Sequence, residues 1–299
     1  MTLASPSGAL LDLTRLTGQL APRSLTAYQQ DLAAYLRFCS EPGTALEATS
    51  LARWRLHLAR HTPLAPSTIN RRLAAVRRVV QEAAEHGVVD PATAAAFRQV
   101  QGVSVKALKD RLRARIRITA GQMRRLCEAP DLTTLKGVRD RALLHTLASS
   151  GCRVSEVVSL TTAQIRSDAG SFFLEVLGKN QTTPRLAPLS HEAYAAMQAW
   201  LARRPVESAS VFTRFAGRGP RATDAPMSTT AVWQLVQHYA RQVGLTHVSP
   251  HSFRRFVGTE LAKRDIRQAQ KALGHARIET TARHYVLDDL AGGLTDGLY

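Results

Sequence analysis

Residues 101–118 divide the chain: they hold six basic side chains and one acidic between two stretches of periodic apolar residues, and such a charge run does not cross a hydrophobic core. A length of 299 residues carries a two-domain prior. Residues 1–100 are therefore expected to form one domain, 101–118 a basic linker and 119–299 a second domain. Upstream, Leu25 to Leu36 carry helical spacing with Ser24 as the expected cap, and Ser67 to His86 do the same before Gly87 stops them. A small helical bundle is expected there. Downstream, Gly170–Leu177 and Pro184–Leu189 are β-rich runs flanking a short polar turn, which reads as a hairpin with Lys179 near its tip. The expected fold class is mainly α with a small β-sheet.

Charge narrows the partner. Lys and Arg number 40 against 23 Asp and Glu, a net charge of +17, which points to a polyanion such as nucleic acid. The excess is spread along the chain, with 11 basic and 7 acidic residues in 1–100 and 23 and 15 in 119–299. Cys39, Cys127 and Cys152 are too few and too scattered for a disulfide framework or a Cys-x-x-Cys zinc site, so no metal is expected. No stretch approaches the ~20 apolar residues of a membrane span, and Met1-Thr2-Leu3-Ala4-Ser5 lacks the basic start of a signal peptide. A cytoplasmic protein without membrane contact is expected.

Three clusters carry chemistry-bearing residues. In Ser249-Pro250-His251-Ser252-Phe253-Arg254, serine before proline reads as an N-cap with proline at the first helical position. His251 then lies in the first turn, where free backbone N–H groups favour anions, and Arg254 follows on the same face. Taken alone, this reads as a capping histidine and a solvated surface arginine. In Leu147 to Val157, a helical run breaks at Gly151 and restarts, setting Arg153 at the corner; alone, Arg153 is a structural partner for Glu156 three residues on. In Leu273-Gly274-His275 and the helical stretch Ile278 to Tyr285, the tyrosine alone is a packing residue.

Together and in this order, the clusters resemble the tyrosine recombinase (phage integrase) family, most like its Xer-type site-specific recombinases. Gly151-Cys152-Arg153-Val154-Ser155-Glu156 is similar to the family's first-arginine box, and Leu177-Gly178-Lys179-Asn180 to its β-hairpin lysine. Pro250-His251-Ser252-Phe253-Arg254 resembles the His-x-x-Arg box, Leu273-Gly274-His275 the Leu-Gly-His box, and Tyr285 the nucleophile. The resemblance implies a helical, SAM-like core-binding N-terminal domain and an α/β catalytic domain clamping duplex DNA between them. In Pro66 to Arg78, arginines 71, 72, 77 and 78 alternate with an apolar stripe of Ile69, Leu73, Val76 and Val80. From pattern alone that cationic face is as readily a solvated face as a binding one. The family's similar helix contacts DNA, which implies DNA binding by Arg71, Arg72, Arg77 and Arg78.

The implied chemistry needs no ATP and no cofactor. A tyrosine hydroxyl attacks the scissile phosphate, and the resulting 3′-phosphotyrosyl linkage is reversed by a second DNA hydroxyl. Ionising a tyrosine at neutral pH costs about 3 pKa units, or about 4 kcal/mol, which a base or cationic field must offset. The resemblance assigns Arg153 and Arg254 to the non-bridging oxygens, where their forked donors stabilise the pentacoordinate transition state. It assigns His275 a further hydrogen bond to the phosphate, His251 the tyrosine proton, Lys179 the departing 5′ oxygen, and Glu156 the orientation of His251.

Two departures stand out. Tyr285 is ten residues after His275 where the family usually has nine, with His284 in the usual place; one extra residue turns an ideal helix by about 100°. A bulge, or a helix ending before His284, is the expected remedy, with Tyr299 the unfavoured substitute. Arg255 also stands where a histidine commonly follows the second arginine. The residues from Val286 to Leu294 resemble the segment that couples neighbouring protomers, implying a homo- or hetero-tetramer on two DNA sites that exchanges strands through a Holliday junction. Chromosome or plasmid dimer resolution is the expected role, with a mobile-element integrase, a type IB topoisomerase and a DNA-binding relative without strand cleavage as alternatives.

Overall fold

The computed structural model describes residues 11–39, 41–111, 117–178, 181–217 and 221–285, apart from the side chains at 42, 283 and 284. The chain divides into two compact units, Met1–Ala114 and Arg115–Tyr299.

The first unit holds α1 (Pro22–Phe38), α2 (Ala48–His61), α3 (Pro66–Glu85) and α4 (Pro91–Gln99), with a 3₁₀ turn, Pro42–Leu46, between α1 and α2. Proline at the first helical position starts α1, α3 and α4, so α1 begins ahead of the expected cap and Ser24 lies inside it. Helix α3 ends at His86 and the chain turns at Gly87, as the spacing predicts. Ile69, Leu73, Val76 and Val80 are fully buried, packing with Leu32, Tyr35, Trp54 and Phe97. Tyr35 donates to the Ala45 carbonyl at 3.0 Å, so its polar end is satisfied inside that core.

Much of the charge run belongs to this unit. Asn70 exchanges two hydrogen bonds with the Val103 backbone, at 2.7 and 3.0 Å, and Arg111 donates to the carbonyls of Leu64 and Ala59. The division between units thus falls late in the expected linker, because residues 101–111 are tied back onto α2 and α3.

The second unit begins with α5 (Ala120–Glu128), α6 (Leu135–Ser150) and the single-turn α7 (Val154–Val158). A three-stranded antiparallel sheet follows, β1 (Ile165–Asp168), β2 (Ser171–Val176) and β3 (Arg185–Leu189), in that order. The expected hairpin is β2–β3, with Val176 opposite Arg185; β1 extends it through a tight turn in which Ala169 and Gly170 both have positive φ. Then come α8 (His191–Arg203), the hairpin β4 (Thr213–Phe215) and β5 (Ala222–Pro226), α9 (Thr229–Gln242), α10 (Pro250–Arg264), α11 (Ile266–Leu273) and α12 (Ile278–Tyr285). Leu143, Leu147, Leu174, Met197, Trp200, Phe212 and Phe253 form the core. Against it lies one polar network: buried Arg139 holds Asp140 and the Thr213 carbonyl, and Tyr239 donates to the other Asp140 oxygen at 3.0 Å. Among the described residues, no helix is long and apolar enough to cross a membrane.

Candidate active site

Four of the expected site residues converge in the second unit, at the meeting of α6, α10, α11 and α12. The junction starts from Gly151, which ends α6 in the left-handed region at φ +60°. A Cβ there would lie 2.9 Å from Leu273 and 3.0 Å from Val257, so conformation and space both demand glycine. Its carbonyl, turned toward α10, accepts from Arg254 Nη1 at 2.8 Å.

Arg254 is buried, with Nη2 donating to the Leu273 carbonyl at 2.6 Å and lying 3.1 Å from His275 Nε2. Burial depresses its pKa, and the charge of Arg153 acts in the same direction, while Tyr285 and Glu156 oppose it. Ser249 is the N-cap of α10, as the sequence predicts, its backbone N–H donating to Ser252 Oγ at 3.0 Å, and His251 is exposed in the first turn.

A guanidinium only donates, so His275 Nε2 is the acceptor in its contact with Arg254. In the neutral ring Nδ1 then carries the hydrogen, and it lies 2.9 Å from Thr281 Oγ1. Thr281 is fully buried. Tyr285 sits one turn beyond it on the same face of α12 and stacks on His275, ring centroids 5.5 Å apart and planes 9° from parallel. The tyrosine is 4% exposed and rests on Gly258 of α10, where a Cβ would lie 2.6–2.8 Å from three ring carbons. The helix ends neither before His284 nor in a bulge; it runs through Tyr285. The extra residue is accommodated by the placement of α12, whose Thr281–Tyr285 face meets His275.

Arg153 caps α7 and is about one-third exposed; its Nη1 donates to Glu156 Oε1 at 2.8 Å, and its backbone N–H to Oε2 at 2.8 Å. Glu156 is buried, and its Oε2 also accepts from Arg185 Nη2 at 2.8 Å. The carboxylate, to which the resemblance assigns the orientation of His251, is thus engaged by two arginines, Arg185 reaching it from the start of β3. Lys179 lies outside the described residues, as do Val286 to Leu294 and Tyr299. The flanks of the lysine are placed: a Cβ on Gly178 would lie 3.5 Å from Arg153 Nη1, and Gln181 donates to the Gly274 carbonyl at 3.1 Å.

The cationic face of α3 is part of the first unit's own ion pairing. Arg71 and Arg72 flank Asp31, which is 2% exposed, Arg77 donates to the Leu73 carbonyl at 3.3 Å, and Arg78 pairs with Glu82 at 3.1 Å and with Gln19. Each of these arginines therefore has an intramolecular partner. Sequence reasoning did not single out Arg185, Thr281 or Gly258. The four-residue step from Thr281 to Tyr285 was a readable signal for the threonine; nothing local marked the other two.

Residues 116–290 match the phage integrase family and 11–87 the phage integrase N-terminal SAM-like domain. The chain is 31% identical over 276 residues to tyrosine recombinase XerD of Ralstonia nicotianae, covering 88% of this chain and 83% of that protein. It is equally 31% identical over 276 residues to tyrosine recombinase XerC of Xanthomonas campestris pv. campestris, covering 90% and 80%. Its fold matches the Tn1549 transposon integrase in complex with a circular intermediate DNA, with a TM-score of 0.67, 16% identity and coverage of 92% and 94%. It also matches a lambda integrase dimer bound to a COC′ core site, with a TM-score of 0.65, 14% identity and coverage of 93% and 76%. With both units matched in sequence and fold, the chain belongs to the phage integrase family, the tyrosine recombinases that transfer DNA strands.

Proposed function

We propose that this recombinase recognises a specific duplex DNA site in the cytoplasm, opens one strand with Tyr285 and exchanges strands within a tetramer through a Holliday junction. Resolution of chromosome or plasmid dimers is the role that the XerC and XerD relatives favour. The observation that carries the reading is the single chain of contacts from Arg254 through His275 to Tyr285.

The reaction follows from that chain. Arg254 is anchored through two backbone carbonyls, so its remaining donors are held for a phosphate oxygen with little rotamer entropy left to lose. Arg153, one-third exposed beside it, takes the second oxygen. Tyr285 attacks phosphorus, its proton passing to His251, while Lys179 protonates the departing 5′ oxygen. His275 donates to the phosphate from Nε2 once the ring takes up a proton there, which ends that nitrogen's role as acceptor for Arg254. The charge-matching is local: Arg153, Arg185 and Arg254 face one carboxylate, Glu156, leaving an excess of positive charge for a phosphodiester.

The test is covalent trapping. The protein is mixed with sheared DNA from its own source and denatured, and the protein-linked fragments are sequenced, with Tyr285→Phe as the comparison. An adduct that vanishes in the variant, with one recurring sequence, is the expected result. Strong salt-dependent binding without an adduct would refute strand cleavage by Tyr285.

A further inference from the structure

We infer that Arg185 is a positioning residue for the scissile phosphate, holding Arg153, the turn before His275 and the β2–β3 hairpin in one register. The inference rests on the reading of the site given above. Besides Arg254 on α10, the groups expected to meet the phosphate come from three elements that are far apart in sequence: the start of α7, the turn from α11 to α12, and the β2–β3 turn. Arg185 touches the support of each. Its Nη2 donates to Glu156 Oε2 at 2.8 Å, while Oε1 of the same carboxylate takes Arg153. Together with the Arg153 backbone N–H, which also donates to Oε2, that split fixes the plane of Glu156 and, through it, the direction of the Arg153 fork. The Arg185 stem packs against Gly274, a left-handed residue at φ +66° immediately before His275, so closely that a Cβ on that glycine would collide with Cδ and Nε. Arg185 is also the first residue of β3, directly after the turn that carries Lys179.

An arginine retained only to neutralise Glu156 would be an expensive choice. The side chain is 9% exposed, and its Nε and Nη1 are buried without a hydrogen-bond partner among the described residues. Buried donors left unmet favour replacing the residue unless its shape or charge serves something else. A lysine would reach Glu156 but would place a single point of charge there, without the planar group that lies between Glu156 and Gly274.

The test uses the full-length chain and a nicked duplex carrying the site recovered by trapping. Adduct formation is followed in a single turnover, and DNA affinity is measured separately, for wild type, Arg185→Lys, Arg185→Met, Glu156→Gln and the Arg185→Lys/Glu156→Gln double variant. Because Arg185 acts on orientation, the rate in Arg185→Lys should fall at least about tenfold while DNA affinity stays within about threefold. In the Glu156→Gln background the same substitution should slow the reaction by a clearly smaller factor than in wild type, since the path to Arg153 is already broken and only the support of Gly274 and the hairpin is left to lose. If Arg185→Met does not unfold cooperatively, Arg185→Lys, which keeps the charge and most of the volume, carries the comparison. A rate for Arg185→Lys within about twofold of wild type overturns the inference, as does a loss matched by an equal loss of affinity. A full effect in the Glu156→Gln background overturns it too. Absence of an adduct with the wild-type chain defeats the reading of the site itself, and the inference with it.

Discussion

Gly258 sets where Tyr285 lies, and substituting it separates the position of the tyrosine from the stability of the fold. Gly258 is buried in the interior of α10, and a Cβ there would lie 2.6, 2.8 and 2.8 Å from three Tyr285 ring carbons. Carbon contacts settle at about 3.5–4.0 Å, so in Gly258→Ala the ring must retreat by about 1 Å, away from α10 and off its stack with His275. Overpacking of this kind costs roughly 1–3 kcal/mol, and exchanging glycine for alanine inside a helix returns about 1 kcal/mol. The net loss of stability should thus be about 0–2 kcal/mol, read as a shift in urea midpoint at unchanged slope. The effect on reaction should be far larger, because a displacement of about 1 Å from attack geometry costs on the order of 100-fold. The assay is single-turnover adduct formation on a nicked duplex carrying the trapped site, with DNA affinity measured alongside. A folded Gly258→Ala protein that forms the adduct within about threefold of the wild-type rate would refute the placement of Tyr285 against α10.

Thr281→Val keeps the volume of a buried side chain and removes the partner of His275 Nδ1, so the adduct should form on the order of tenfold more slowly while DNA affinity holds, measured in the same assay. Arg71→Ala strands the buried Asp31 with Arg72 alone; urea unfolding should show a loss of about 1–2 kcal/mol, less than for a fully buried pair because Arg71 is 45% exposed. Ala169 holds φ +44° in the β1–β2 turn, and Ala169→Asn should raise stability by about 0.5–1 kcal/mol by thermal or urea unfolding. Burial pushes the Cys127 thiol up to about 12, above its value in the unfolded chain. Its contribution to stability is therefore whole below about pH 8.5 and lost as pH rises toward 12, so the stability advantage of wild type over Cys127→Ala should shrink in urea unfolding between pH 8 and pH 10.

The legible parts of the chain were those where local chemistry dictates structure. Proline after serine starts α10, Gly151 breaks α6, and the stripe Ile69, Leu73, Val76, Val80 becomes the buried face of α3, because caps, left-handed residues and apolar period act within a few positions. Long-range pairings were not legible. Asp31 and Arg71 are 40 residues apart and Glu156 and Arg185 are 29 apart, so no spacing rule connects them. The strand β1 was missed for a related reason: its residues Ile165-Arg166-Ser167-Asp168 are mostly exposed and carry little apolar alternation, and pairing with β2 makes the strand.

The ten-residue step from His275 to Tyr285 shows how far a motif's spacing can be trusted. Counted along one continuous helix, an extra residue rotates the tyrosine by about 100°, which would carry it off the site. The segment is not one continuous helix, because His275 lies in the turn after Gly274 and α12 begins only at Ile278. The angle that matters is therefore measured within α12, from the residue that fixes the helix against the site. Thr281 fixes it through His275 Nδ1, and Tyr285 follows four residues later, on the same face. A helix docked by its own threonine tolerates a change in the length of the turn before it, provided the threonine-to-tyrosine step is kept. Inserting one alanine between Thr281 and Tyr285 should accordingly abolish the adduct, whereas one inserted in the turn at Ala276 should leave a measurable rate. Equal loss from both insertions would refute docking through Thr281.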